Sequence, residues 1–99
     1  MKYRLRFHEL VSEDLSKAID WYESRRDGLG QEFDFELTQS IERLHQAPLS
    51  HSYAFPGVRF KCVHRFPYVV YFIIEKYEVH VLAVLHGRQD NEIVKQRLP

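Results

Sequence analysis

The chain carries one cysteine, Cys62, among its 99 residues. That excludes an internal disulfide and leaves packing as the source of stability, as in a reducing compartment. Long hydrophobic runs are missing too. The longest, residues 68–74, has the length of a strand and falls well short of the roughly 18–20 apolar residues of a membrane span. Residues 1–7 lack the apolar stretch of a signal peptide, so a cytoplasmic protein with no membrane partner is expected. No repeat, low-complexity tract or linker interrupts the chain, which predicts a single domain over residues 1–99. The histidines, His8, His45, His51, His64, His80 and His86, show none of the ligand spacings of a structural zinc site. Neither a metal nor any other cofactor is expected, nor a small-molecule substrate.

What is present supports a packed domain. The hydrophobic fraction of 44% is that of a globular chain and too high for a disordered one. Net charge is zero, yet its distribution is uneven. Residues 8–46 hold ten acids against four basic residues, whereas residues 47–74 hold Arg59, Lys61 and Arg65 and no acid. One part of the surface is therefore acidic and another basic, a polarity suited on the basic side to a nucleic acid or an acidic protein.

Periodicity assigns the elements. Residues 1–7 alternate, with Tyr3, Leu5 and Phe7 on one face and Lys2, Arg4 and Arg6 on the other, as in a half-buried strand. Over residues 9–24, Val11, Leu15, Ala18, Ile19 and Tyr22 recur at helical spacing with Trp21 beside them. Asp27-Gly28-Leu29-Gly30 breaks that helix. A second, over residues 31–46, places Phe33, Leu37, Ile41 and Leu44 on one face and stops before Pro48. The short link makes the pair an antiparallel hairpin. Residues 49–57 read as a loop. Val58, Phe60 and Cys62 then alternate with Arg59, Lys61 and Val63, so Cys62 reads as a small core residue and His64 as a partly buried one. Residues 68–74 form a central strand rich in β-branched and aromatic side chains. Residues 79–86 pair with it across a turn at Lys76-Tyr77, and residues 90–98 add a short helix. The predicted fold is α+β, in the order β-α-α-β-β-β, with the helical hairpin on a mainly antiparallel four-stranded sheet.

Local motifs sharpen this. Gly28-Leu29-Gly30 followed by Phe33 looks like the inter-helix turn of ParE-like chains, and Trp21-Tyr22-Glu23 resembles the aromatic pair closing their first helix. Ala47-Pro48 resembles the proline ending their second. Arg59, Arg65-Phe66-Pro67-Tyr68 with Tyr71, and Val84-Leu85-His86-Gly87-Arg88 stand where those families carry strand motifs. Over nearly its whole length the chain resembles the RelE/ParE superfamily of type II toxin–antitoxin systems, nearer its ParE-like branch. The resemblance implies a growth-inhibiting toxin silenced by a cognate antitoxin, with Trp21 and Tyr22 as antitoxin-binding candidates.

The fold hosts two chemistries. ParE-like members act on DNA gyrase by binding; RelE-like members cleave mRNA on the ribosome. Cleavage requires a base, an acid and cations that converge on one phosphate, and Lys61, His64, Arg65, His86 and Arg88 supply those residue types. Three departures from the RelE pattern favour the other branch. Tyr68 stands where RelE-like chains carry an arginine, the tail 91–95 offers only Lys95, and the net charge is zero rather than strongly basic. Arg59, Lys61, Arg65, His86 and Arg88 are then target-binding candidates, with gyrase as target. Ribosome-dependent mRNA cleavage and a non-toxic relic that only binds antitoxin are the alternatives.

Overall fold

The computed structural model describes residues 2–89 and 91–99. Val11, Ala18 and Tyr22 are buried at helical intervals along α1 (Val11–Arg25), and Phe33, Leu37 and Leu44 along α2 (Leu29–Gln46). The hairpin between them is tighter than predicted, with α2 beginning at Leu29. Gly28 takes φ +87°, the left-handed region open to glycine. Glu23 then caps the new helix: its carboxylate accepts the N–H groups of Gly28 and Gly30, each at 2.9 Å. That meets the orphan donors and the positive end of the helix dipole together. Gly30 is also where the helices touch, since a Cβ there would lie 2.8 Å from the Ile19 carbonyl oxygen.

The sheet has five strands in the order β1-β5-β4-β3-β2. Strand β1 (Arg4–Phe7) runs parallel to β5 (Glu78–His86), and the other pairings, through β4 (Tyr68–Glu75) and β3 (Val58–Cys62), are antiparallel. Two predictions change here. Residues read as loop contain a 3₁₀ turn (Pro48–Ser50) and an extra edge strand, β2 (Tyr53–Phe55), too short to show a period. Cys62 is exposed rather than in the core, because β2 stops opposite Arg59 and leaves the end of β3 unflanked.

Both faces of the sheet are covered. Val70, Phe72, Val79, Val81 and Val84 meet the helical hairpin. Tyr71, Ile73, Leu82, Ala83 and Leu85 form a rear core. Leu82 and Ala83 share that rear face because the register shifts between Tyr71 and Phe72, which pair with Ala83 and Val81 and leave Leu82 as the extra residue of a bulge. The short tail helix α3 (Glu92–Gln96) buries Val94 on the rear core; Asp90, the predicted start of the tail, lies outside the described residues.

His80 is 4% exposed on β5, and its Nδ1 has no hydrogen-bond partner among the described residues. Burial holds its pKa below the ordinary 6.5; Arg6 and His8 add to this and Glu78 and Glu75 oppose it. The fold thus favours neutral His80, while the unfolded chain protonates near 6.5. Stability is fully present above that pH and declines as pH falls toward the lower folded-state value. His80→Leu is expected to flatten the loss of stability between pH 7.5 and pH 5.5 in urea titrations. An unchanged slope would assign the acid sensitivity to other groups.

Candidate functional site

The end of α1 builds an aromatic cluster. Tyr22 stacks on Phe33 at 5.1 Å and meets Phe66 and Tyr68 edge-on at 4.8 and 5.9 Å. Burial raises the pKa of the Tyr22 and Tyr68 phenols, so both stay protonated near neutrality. Trp21 sits edge-on to Tyr22 yet is 50% exposed, with the Arg25 guanidinium 4.4 Å from its ring centroid. One residue of the Trp-Tyr pair is therefore core and the other is surface.

Beside this cluster lies a groove of about 700 Å³. Ala18 and Trp21 of α1 form one wall, Tyr68 and His86 the end of the sheet, and Ile93 and Arg97 the opposite wall. His86 faces Tyr68 edge-on at 5.5 Å, and its Nδ1 accepts the Arg88 N–H at 3.2 Å. The neutral ring thus carries its proton on Nε2.

A buried ion pair closes one end. Arg97 Nη1 and Nη2 donate to the Asp14 carboxylate at 2.6 and 3.0 Å, with the side chains 11% and 9% exposed. Arg97 also donates to the Leu82 carbonyl at 3.1 Å, and Asp14 accepts the Val84 N–H at 3.0 Å. The pair therefore satisfies backbone groups at the bulge while tying the tail to α1. Sequence reasoning missed both residues. The signal was Asp14 itself: it lies between Val11 and Ala18 on the buried stripe of α1, where a carboxylate needs a buried cation.

The cations singled out from the sequence do not gather here. Arg59 lies opposite Phe72 on β3; it donates to the His51 carbonyl and, at 2.9 Å, to the Tyr53 hydroxyl, with its guanidinium 4.2 Å from the Tyr53 ring centroid. Lys61 lies opposite Val70 and has no ion pair among the described residues. Arg65 is not on the strand but in the following turn at φ +73°, where it bridges Glu32 at 2.9 Å and Glu36 at 3.6 Å. Those bonds raise its pKa, and Arg65 and then Arg26 lower that of Glu32. His64 shares the turn. It is exposed, not partly buried, because the strand ends before it and frees it to approach Glu36 at 3.4 Å. Arg88 is exposed beyond β5.

Strand geometry gives the separations. Tyr68 pairs with His86 and Phe72 with Arg59, so Arg59 is displaced roughly 13 Å along the sheet and about 10 Å across two strands from His86. A base, an acid and a phosphate clamp must lie within hydrogen-bond reach of one reacting group. Among the described residues the candidates gather only in separate pairs, His86 with Arg88 through the Arg88 N–H and His64 with Arg65 at Glu36.

The family model for the ParE toxin of type II toxin–antitoxin systems matches residues 5–91. Among solved structures, the chromosomal ParDE TA system from P. aeruginosa superposes with a TM-score of 0.74 at 19% identity, covering 85% of this chain and 95% of that one. At that identity the likeness is one of fold. No curated protein sequence matches.

Proposed function

The chain belongs to the ParE toxin family of type II toxin–antitoxin systems, and from that premise we propose that it arrests growth in the cytoplasm by binding DNA gyrase, until a cognate antitoxin occupies it. The observation that carries this reading is the family match over residues 5–91. The dispersal of the cations supports it: Arg59 and Arg65 are held by neighbouring groups, and His64 lies with Arg65 against α2. A binding protein tolerates that distribution, whereas an RNA-cleaving centre does not. Trp21, half-exposed beside the groove, is the natural anchor for the antitoxin, since exposed aromatics next to pockets dominate interface energetics.

The test is gyrase-catalysed supercoiling in the presence of the purified chain, with and without antitoxin. Inhibition relieved by antitoxin is the expected result. Lys61→Ala and Arg88→Ala should each weaken inhibition by a few-fold, as interface residues do, rather than abolish it. Unimpaired supercoiling together with codon-phased mRNA cuts after induction would replace this reading with the nuclease one. Unaffected growth at high expression would leave the relic that only binds antitoxin.

A further inference from the structure

Strand β5 has a longer hydrogen-bonding edge than β1 covers. The pairing of β1 ends with Phe7 opposite Val81, and its last rung runs from the His8 N–H to the Val81 carbonyl at 2.8 Å. Farther along, Val84 and His86 lie opposite Val70 and Tyr68, and the Tyr68 carbonyl is turned toward β3, where it accepts the Val63 N–H. Strand alternation therefore points the N–H and C=O groups of Val84 and His86 outward from the sheet.

Side chains occupy those positions in the free chain. Asp14 Oδ2 accepts the Val84 N–H and Gln89 Oε1 accepts the His86 N–H, both at 3.0 Å, while Arg97 donates to the Leu82 carbonyl at 3.1 Å. Three side chains from three segments stand where the backbone of a neighbouring strand would. Capping of this kind protects an edge from pairing. The 700 Å³ groove runs along the same edge, between α1 and α3.

We propose that this edge is a β-docking slot, which an extended segment of a partner protein enters as a strand beside β5, taking over the Val84 and His86 N–H groups from Asp14 and Gln89. The two donors are two residues apart, roughly 7 Å, and match carbonyls two residues apart on the incoming chain. Helical walls on both sides admit one extended chain and not the sheet edge of a second folded copy. Ala18, Trp21 and Ile93 favour apolar side chains at alternate positions. With Asp14 neutralised by Arg97, the remaining charge of the lining among the described residues is Lys17. The occupant is thus an apolar strand carrying carboxylates, of roughly three to five residues. The slot adjoins Trp21, but the inference concerns peptide chemistry and does not rest on gyrase or on the identity of the antitoxin.

The probe is acetyl-Val-Glu-Val-Glu-Val-amide, titrated into the isotope-labelled full chain and followed by NMR amide shifts and hydrogen exchange. Two N-methylated versions, each blocking the donors of one edge of the peptide, serve as controls. Binding should shift the Val84 and His86 amides and slow their exchange, and only one N-methylated version should lose it. Gln89→Ala, which removes a cap that must otherwise be displaced, should tighten binding by about fivefold. Equal binding of both N-methylated peptides would show side-chain contact without strand pairing and overturn the proposal, as would no binding at millimolar peptide. Either negative leaves the supercoiling test untouched.

Discussion

Arg97→Ala is expected to lower the unfolding free energy by about 3–5 kcal/mol, because it strands a buried carboxylate. Asp14 would keep only the Val84 N–H, and the Leu82 carbonyl would lose the guanidinium. Both side chains are about nine-tenths buried, so solvent screening gives little relief. Arg97→Lys should recover only part of the loss, since an ammonium cannot reproduce the bidentate bond and also reach Leu82. The double variant Asp14→Leu, Arg97→Met should be less damaged than Arg97→Ala, since replacing both charges removes the stranded ion. It should still fall short of the parent, because two backbone groups at the bulge lose their partners. Urea denaturation of the four proteins gives the comparison. A cost below about 1 kcal/mol for Arg97→Ala, the range of an exposed pair, would mean that the clamp is open in solution.

Phe33→Ala should be as severe, at about 3–5 kcal/mol, the usual cost of emptying an aromatic site in a core. Phe33 is fully buried and meets the rings of Tyr22, Phe66 and Tyr68 at 5.0–5.2 Å. Its loss undermines the α1–α2 hairpin and the wall that supports Trp21 together. For a domain of this size each kcal/mol lowers Tm by roughly 4–8 °C, so thermal melts resolve the effect easily. Phe35→Ala is the matched control: its ring lies on the exposed side of the same helix and should change stability by less than about 0.5 kcal/mol. Similar losses at both positions would mean that the aromatic cluster is not the keystone of the hairpin.

The sequence discloses what repeats along the chain and hides what is joined across it. Val11, Ala18, Tyr22, Phe33, Leu37 and Leu44 declare two amphipathic helices by spacing alone, and all are buried. The strands Val58–Cys62 and Glu78–His86 follow from period-two alternation, and Tyr68–Glu75 from its β-branched and aromatic content. Tyr53–Phe55 does not, since three residues hold less than two periods of a strand. The bulge at Leu82 escapes notice because the run around it is apolar on both faces, and a register slip leaves no mark there. Trp21 and Tyr22 were legible as a pair, though not which of them is exposed. Among the candidate site residues, the identities of the cations were plain but their neighbours were not. Arg65 belongs to Glu32 and Glu36 of a helix some thirty residues earlier, and Arg97 to Asp14, 83 residues away. Spacing rules reach about one helical turn or one hairpin, and these bonds lie far beyond that range.

The parallel union of β1 with β5, together with the Asp14–Arg97 bond, also governs how the molecule comes into being on the ribosome. Earlier residues are held by later ones: Arg4 pairs with Glu78, and Asp14 waits for Arg97. At translation rates of roughly 5–20 residues per second, the 83 residues from Asp14 to Arg97 take about 4–17 s to follow. From the completion of α2 at Gln46 until β5 follows, the helical hairpin stands without the full sheet against which its apolar faces pack, and β1 has no strand beside it. Completion of the sheet thus waits for β5, and closure of the groove for Arg97. Until the strands follow, the apolar stripe of Val11, Ala18 and Tyr22 lacks the sheet that covers it and is open to whatever binds it first.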